Sequence, residues 1–531
     1  MPDSKTSQPS GGRAAAAMVA AGIFLSKIAG LVRERVIAHF FGNSEIADAF
    51  RAAMRIPNFL QNLFGEGVLS ASFIPVYARL RAEKRDEEAS QLAEAIFALL
   101  ALTTSVLVAL GIYFTPVLIA LIAPGFHGAT RELTIQLVRI LFPGVGLLVF
   151  SAWCLGVLNS HRKFFLSYTA PVLWNAAIIA AFYWKGGSID PSSLARFVCW
   201  GNVAGCALQF GVQLPTVLKF LWPMSIRLHV GQHVRSVVRS FGPIFVARGV
   251  VQISAYIDGM LASLLPVGAV AALGYAQTLN QLPVSLFGMA VSAAELPAMS
   301  SAIGTPEEVA LAIRERLARG LEQISYFVVP SVVAFLLLGN VVVATLYRSG
   351  AFQQNDVTYV WAILAGSAVG LLASTSGRLY SSAFYALRDT KTPLRFATLR
   401  VALTLIFGYL CALPLPPLLG IDQKWGVAGL TFSAGVAGWV EFALLRRALH
   451  LRTGRVAYPI ARLFRLYGAA LVAAATAFAA YHYGFARMDL LTRPVLRGIV
   501  ELGCYGAIYV ALTQWMGISS VGSVFRSFRR R

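Results

Sequence analysis

The chain has 531 residues, 57% of them hydrophobic and only 13% charged, with a mean hydropathy of +0.67. That excludes an ordinary soluble domain, in which about a quarter of the residues are charged, and makes lipid the expected solvent. A formal net charge of +21 does not indicate nucleic acid, because Lys and Arg sit in short clusters between apolar runs rather than on one basic domain.

Residues 1–13 form a polar tail without a cleavable signal pattern, so the first apolar run is expected to stay as a helix. Continuous apolar runs, rather than alternating ones, predict an all-α polytopic membrane protein with about fourteen crossings. The expected spans are 14–38, 46–78, 92–115, 133–158, 166–184, 195–218, 241–264, 268–300, 321–346, 357–386, 394–413, 425–448, 462–482 and 496–517. Every second loop is basic, as the positive-inside rule requires: Arg79, Arg81, Lys84 and Arg85; Arg162 and Lys163; Lys219, Arg227, Arg235 and Arg239; Arg314, Arg316 and Arg319; Arg388, Lys391 and Arg395; then 446–465. Both termini are therefore expected in the cytoplasm. Arg487, Arg493 and Arg497, on the expected outside, are the weakest match. The five cysteines all fall in apolar stretches without metal-ligand spacing and read as packing residues.

Shifting the chain by roughly 228 residues overlays helix one on helix seven and helix six on helix twelve, the kind of internal repeat from which transporters are built. The turn at 159–163 then falls on 387–391, each followed by a proline, Pro171 or Pro393. The expected division is a tail 1–13, an N-lobe 14–220, a C-lobe 221–450, a helix pair 451–518 and a basic cytoplasmic tail 519–531. Two parallel six-helix lobes leave a central cleft, with the last two helices appended outside the repeat.

A charge at mid-bilayer costs roughly 2.5–3.5 kcal/mol on insertion scales, so intramembrane charges pair or face water. Helix one carries Lys27, Arg33, Glu34 and Arg35. In helix two Asp48, Arg51, Arg55, Asn58, Asn62 and Glu66 recur at spacings of three or four and form one polar stripe, interrupted by Pro57. Two readings compete: an interhelical salt-bridge seam with arginines snorkelling to headgroups, or a cationic, watery vestibule for an anionic headgroup, since guanidinium groups hold phosphate in bidentate geometry. Further charges are Arg248 and Asp258 on helix seven, Arg378 on helix ten, and Glu295 near the cytoplasmic end of helix eight, where an interfacial structural role is favoured. Asp258 is the candidate for a coupling cation. No Walker motif, HExxH or CxxC is present, so no metal site or ATP-hydrolysing module is expected.

These residues resemble the MurJ (MviN) lipid II flippases of the MATE-like exporter superfamily. The likeness is carried by Ser26-Lys27-Ile28-Ala29-Gly30-Leu31-Val32-Arg33-Glu34, Asp48-Ala49-Phe50, Pro57-Asn58-Phe59, Glu66-Gly67, Phe73-Ile74-Pro75, Ala123-Pro124-Gly125-Phe126, Phe241-Gly242-Pro243 and the run 384–393. It implies two six-helix lobes opening alternately to either side, and a groove by helices thirteen and fourteen for a polyprenyl tail. It also implies a substrate, undecaprenyl diphosphate carrying the disaccharide-pentapeptide of peptidoglycan (lipid II). By matching position, Arg33, Asp48, Asn58 and Glu66 correspond to cavity-lining residues, Lys27 stands where an arginine is common, and Arg378 where a basic residue occurs. Gln61 and Asn62 stand where some members carry two arginines, and Thr278 where many place one; Arg248 is the expected substitute.

The expected function is flipping of lipid II from the cytoplasmic to the periplasmic leaflet of the bacterial inner membrane by alternating access. It is not an enzyme activity, and no cofactor is expected. Outward movement of anionic charge is downhill by roughly 2.3 kcal/mol per charge per 100 mV, so the membrane potential, or a cation gradient, is the expected driver. Membrane lipids and the cell-wall synthesis machinery are the other expected partners, and no nucleic acid is. The alternatives are another superfamily exporter of O-antigen or drugs, a non-transporting cell-wall scaffold, and a glycosyltransferase, for which no metal-binding carboxylate pair is present.

Overall fold

The computed structural model describes residues 11–64, 69, 72–223, 231–241, 256–456, 460–485 and 493–518. Glu66 and Arg248 lie outside these described residues. By packing, the chain gathers into two compact units, Met1–Met260 and Leu261–Arg531, whereas the expected lobes were divided by helix count.

The first unit contains α1 (Gly11–Phe41), α2 (Glu45–Phe64), α3 (Ile74–Ala82), α4 (Asp86–Tyr113), α5 (Thr115–Ile122), α6 (Gly128–Ser160), α7 (Phe164–Lys185) and α8 (Pro191–Leu221), and the beginning of α9 (Ile257–Ser263). The expected helix 46–78 takes in α2 and α3, with residues 65–68, 70 and 71 between them outside the described residues; α2 runs through Pro57 without ending there. The core of this unit gathers Phe73, Tyr77, Leu92, Trp153, Val157 and Leu158, and the Trp153 indole N–H donates to the Ala93 carbonyl at 3.1 Å. A buried indole needs such a partner.

The second unit contains the rest of α9, then α10 (Ala269–Pro283), a π-helical stretch Val284–Met289, α11 (Ala290–Ser300), α12 (Pro306–Leu337), α13 (Gly339–Tyr347), α14 (Gln354–Val369), α15 (Leu371–Ala386), α16 (Lys391–Ala412), α17 (Gly426–Thr453), α18 (Ile460–Ala479) and α19 (Pro494–Trp515). α12 begins well before the expected residue 321, because Thr305 and Glu308 form a reciprocal capping box ahead of Pro306. Pro330 inside α12 has no N–H for the Tyr326 carbonyl four residues back. The Tyr509 hydroxyl from α19 supplies that bond at 2.7 Å, and Tyr505 donates to the Pro330 carbonyl at 2.7 Å. The last helix is thus keyed to the proline of α12.

Among the described residues, ten helices are long and apolar enough to cross a membrane, and an eleventh if the bent pair α14 and α15, at 41° to each other, is one span. α1 and α2 are not among them; their charges are the subject of the next subsection. Leu394, Leu399, Leu405, Ile406, Tyr409 and Leu410 of α16 are exposed, as a lipid-facing helix requires. The chain is a multi-pass, all-α membrane protein.

Three helix ends repeat one turn. Lys84, Arg162 and Arg388 take left-handed backbone conformations, φ 59°, 57° and 59°. In each turn the following residue's N–H reaches a carbonyl near the helix end: Arg85 to Leu80, Lys163 to Leu158 and Asp389 to Phe384, all at 2.9 Å. This is Schellman-type closure, and it sets Arg162, not Ser160, opposite Arg388.

Candidate functional site

The site begins with a turn. α1 ends at Phe41, Gly42 adopts φ 58°, and the Ser44 hydroxyl donates to the Phe41 carbonyl at 2.7 Å while accepting from the Ala47 N–H at 3.3 Å. Glycine suits the left-handed position and serine the N-cap, so the chain reverses here. Phe41, Phe50 and Phe182 pack the reversal against α7, with ring centroids 5.1–6.3 Å apart.

Folding α1 back on α2 brings Arg33 and Glu34 opposite Arg51. The Glu34 carboxylate is shared: one oxygen takes Arg33 Nη2 at 2.8 Å, the other Arg51 Nη2 at 2.5 Å. All three side chains are largely enclosed, at 18%, 8% and 14% exposure for Arg33, Glu34 and Arg51. Arg33 is turned inward rather than out to headgroups. Its Nη1 donates to Asn175 Oδ1 at 3.0 Å and its guanidinium lies 5.1 Å from the Trp174 ring centre. Trp174 Nε1 in turn donates to Asn202 Oδ1 at 3.2 Å. Arg33 Nε is buried with no hydrogen-bond partner among the described residues. Arg33 and Arg51 thus converge on the one carboxylate of Glu34, with Asp48 buried on the same stripe.

One turn further along the α2 stripe, Arg55 meets the segment leading into α9. The Tyr256 hydroxyl donates to the Arg55 carbonyl at 2.8 Å, and the Phe59 ring stands edge-on to Tyr256. The Arg55 guanidinium fills the space a side chain at Gly259 would need. Asp258 and Asp48 both lie within electrostatic reach of Arg55. The carboxylate proposed for a cation therefore has an arginine for a neighbour. Asp48 is buried, and Asn58 is half-buried on the same stripe.

Not every expected residue joins. Lys27 is exposed on α1, about 10 Å along the axis from Glu34. Arg378 is in the second unit on α15, exposed and in electrostatic reach of Arg400 and Glu441. Arg400 Nη1 pairs with Glu441 Oε2 at 3.0 Å across α16 and α17. Glu295 pairs with Arg316 at 3.7 Å. Thr278 turns its hydroxyl back to the Gly274 carbonyl at 2.9 Å and presents no charge.

The sequence reading missed Glu34 as the hub, Asn175 and Trp174 as supports of Arg33, and the Arg400–Glu441 pair. A lone Asn and a lone Glu inside otherwise apolar helices were the available signals. Among the described residues no group of His, Cys, Asp and Glu is arranged to hold a metal ion.

Residues 37–491 match the family model described as lipid II flippase MurJ. A lipid II flippase MurJ from Burkholderia cenocepacia is 32% identical over 527 residues, covering 96% of this chain and 97% of that one. Among solved structures, a lipid II flippase MurJ in an inward closed conformation has a TM-score of 0.75 at 23% identity, covering 94% of this chain and 99% of that one. An inward-facing multidrug resistance MATE transporter of the MOP superfamily has a TM-score of 0.64 at 16% identity, covering 81% and 96%. At those identities the structures speak for the fold, while the family match and the Burkholderia relative span nearly the whole chain. The chain belongs to the lipid II flippase MurJ family, a family of transporters.

Proposed function

We propose that this chain flips lipid II from the cytoplasmic to the periplasmic leaflet of the bacterial inner membrane, with both termini in the cytoplasm. The reading rests on family membership and on one observation of the site. Arg33 and Arg51 share the single carboxylate of Glu34 inside a helix pair that would otherwise lie in lipid. Such an arrangement gathers guanidinium groups at membrane depth, where their planar donor pairs suit an incoming phosphate.

In this mechanism the diphosphate displaces water from the guanidinium groups of Arg33, Arg51 and Arg55. Glu34 and Asp48 orient the arginines and keep the site from trapping its cargo. Lys27, Asn58, Glu66, Arg248 and Arg378 are assigned to the path of the headgroup, and Asp258 to a coupling cation. The polyprenyl tail stays in lipid beside the last two helices. Movement follows alternating access, driven by the membrane potential or a cation gradient, with no cofactor.

The test is the leaflet distribution of lipid-linked precursor in bacteria depleted of this protein and complemented with wild type or Arg33→Ala. Accumulation on the cytoplasmic leaflet, relieved by wild type alone, is the expected result. An unchanged distribution in cells without a second flippase would instead favour another exported lipid or a scaffolding role.

A further inference from the structure

Arg493 and Arg497 break the alternation of basic and non-basic loops, and the flipping mechanism gives them no task. Arg497 lines a cavity of about 200 Å³ in the second unit, together with Asn340, Arg348, Gln354 and Tyr481. The cavity is built from α13 and Arg348 at its end, the start of α14, the π-helical turn Ala480–Phe485 that follows α18, and the start of α19. These are the helix ends opposite to the basic loops around 314–319, 388–395 and 446–465, and so on the outer side by the positive-inside rule.

Arg497 is held in place from two directions. Its Nε donates to Glu501 Oε2 at 3.2 Å, and its guanidinium lies 4.3 Å from the Tyr481 ring centre. The Glu501 side chain is fully enclosed at 0% exposure and does not line the cavity. Gly498 has Thr345 where a Cβ would be, which lets α19 approach α13 and sets Arg497 beside Arg348, one turn beyond Thr345. Arg348 makes no ion pair with any described residue and is exposed. Gln354 Nε2 donates to Asn340 Oδ1 at 3.4 Å, which leaves the Asn340 amide N–H groups as further donors. The lining therefore holds two guanidinium groups, an amide donor and no carboxylate.

We propose that this cavity binds the phosphate or diphosphate group of a lipid in the outer leaflet. Convergent guanidinium and amide donors are the chemistry of phosphate recognition. A position at the outer helix ends places the anion at headgroup depth with its chains in the bilayer.

The experiment uses the full chain in detergent and counts bound lipids by native mass spectrometry, for wild type, Arg348→Gln, Arg348→Lys and Gly438→Ala. The probes are a polyprenyl diphosphate, phosphatidylglycerol and inorganic pyrophosphate. Arg348→Gln is expected to lose one bound phosphate lipid through an affinity about tenfold weaker, and Arg348→Lys to retain part of it. Gly438→Ala, away from both sites, is expected to keep it. Equal stoichiometry and affinity in wild type and Arg348→Gln for every probe would overturn the site. Pyrophosphate binding as tightly as the lipids, and being lost in Arg348→Gln, would overturn the lipid source. Because binding rather than transport is read, a wild type that binds but does not flip would sink the proposed function and leave this site standing.

Discussion

Glu34 on α1 and Arg51 on α2 meet at 2.5 Å across a turn whose glycine and serine fix where the two helices register. Removing the carboxylate leaves two guanidinium groups facing each other in a confined space. Glu34→Ala is expected to cost about 3 kcal/mol in chemical unfolding, and Glu34→Ala with Arg51→Ala less than the sum of the two single changes. Strict additivity in this double-mutant cycle would mean the pair is not coupled.

Gly259 is occupied by its neighbour. Gly259→Ala is expected to push the Arg55 guanidinium from its place and to reduce flipping in the leaflet assay as far as Arg55→Ala does. Gly438→Ala, where no atom stands within 4 Å of a new Cβ, serves as the control and should flip normally. Wild-type transport by Gly259→Ala would show that Arg55 can work from another position.

His161 sits in the turn between α6 and α7, its ring stacked on Phe220 at 3.9 Å and within 3.0 Å of both Tyr77 Oη and Arg81 Nη1. Burial, and then the charge of Arg81, holds its pKa down to about 4 from the usual 6.5. The neutral ring belongs to the folded state, so its contribution is fully present above pH 6.5 and is lost as pH falls through about 4. Thermal unfolding followed from pH 7 to 4 should show a decline that His161→Gln flattens; parallel curves would remove His161 as the cause.

In the second unit, Glu441 pairs with Arg400 and lies within electrostatic reach of Arg378. Glu441→Gln is expected to lower thermal stability in nanodiscs more than Arg400→Gln does, because it strands both guanidinium groups rather than one. The double substitution should recover part of the loss. If Arg400→Gln is the more damaging of the two, the arginine is held by something other than Glu441.

Much of this was readable from residue order. The stripe through Asp48, Arg51, Arg55 and Asn58 follows helical period, and that period survives into α2. What the stripe would meet was not readable, because Glu34 reaches Arg51 only through a chain reversal whose register is set by Gly42 and Ser44. Arg400 and Glu441 were hidden for the opposite reason: each is a single charge diluted in a long apolar run, and their pairing joins positions far apart in sequence. The start of α12 lies in a charged stretch that hydropathy cannot mark, although Thr305, Pro306 and Glu308 spell a helix N-terminus.

The π-helical stretch Val284–Met289 lies inside the span Ala269–Ser300. A π turn holds one residue more than an α turn, so the faces of α10 and α11 are out of phase by about one residue, roughly 100°. A relative with a straight helix here would align only with a one-residue gap in mid-membrane, where gaps are ordinarily disallowed. Aligned without that gap, every position of α11 would be compared with a neighbour that faces a different way.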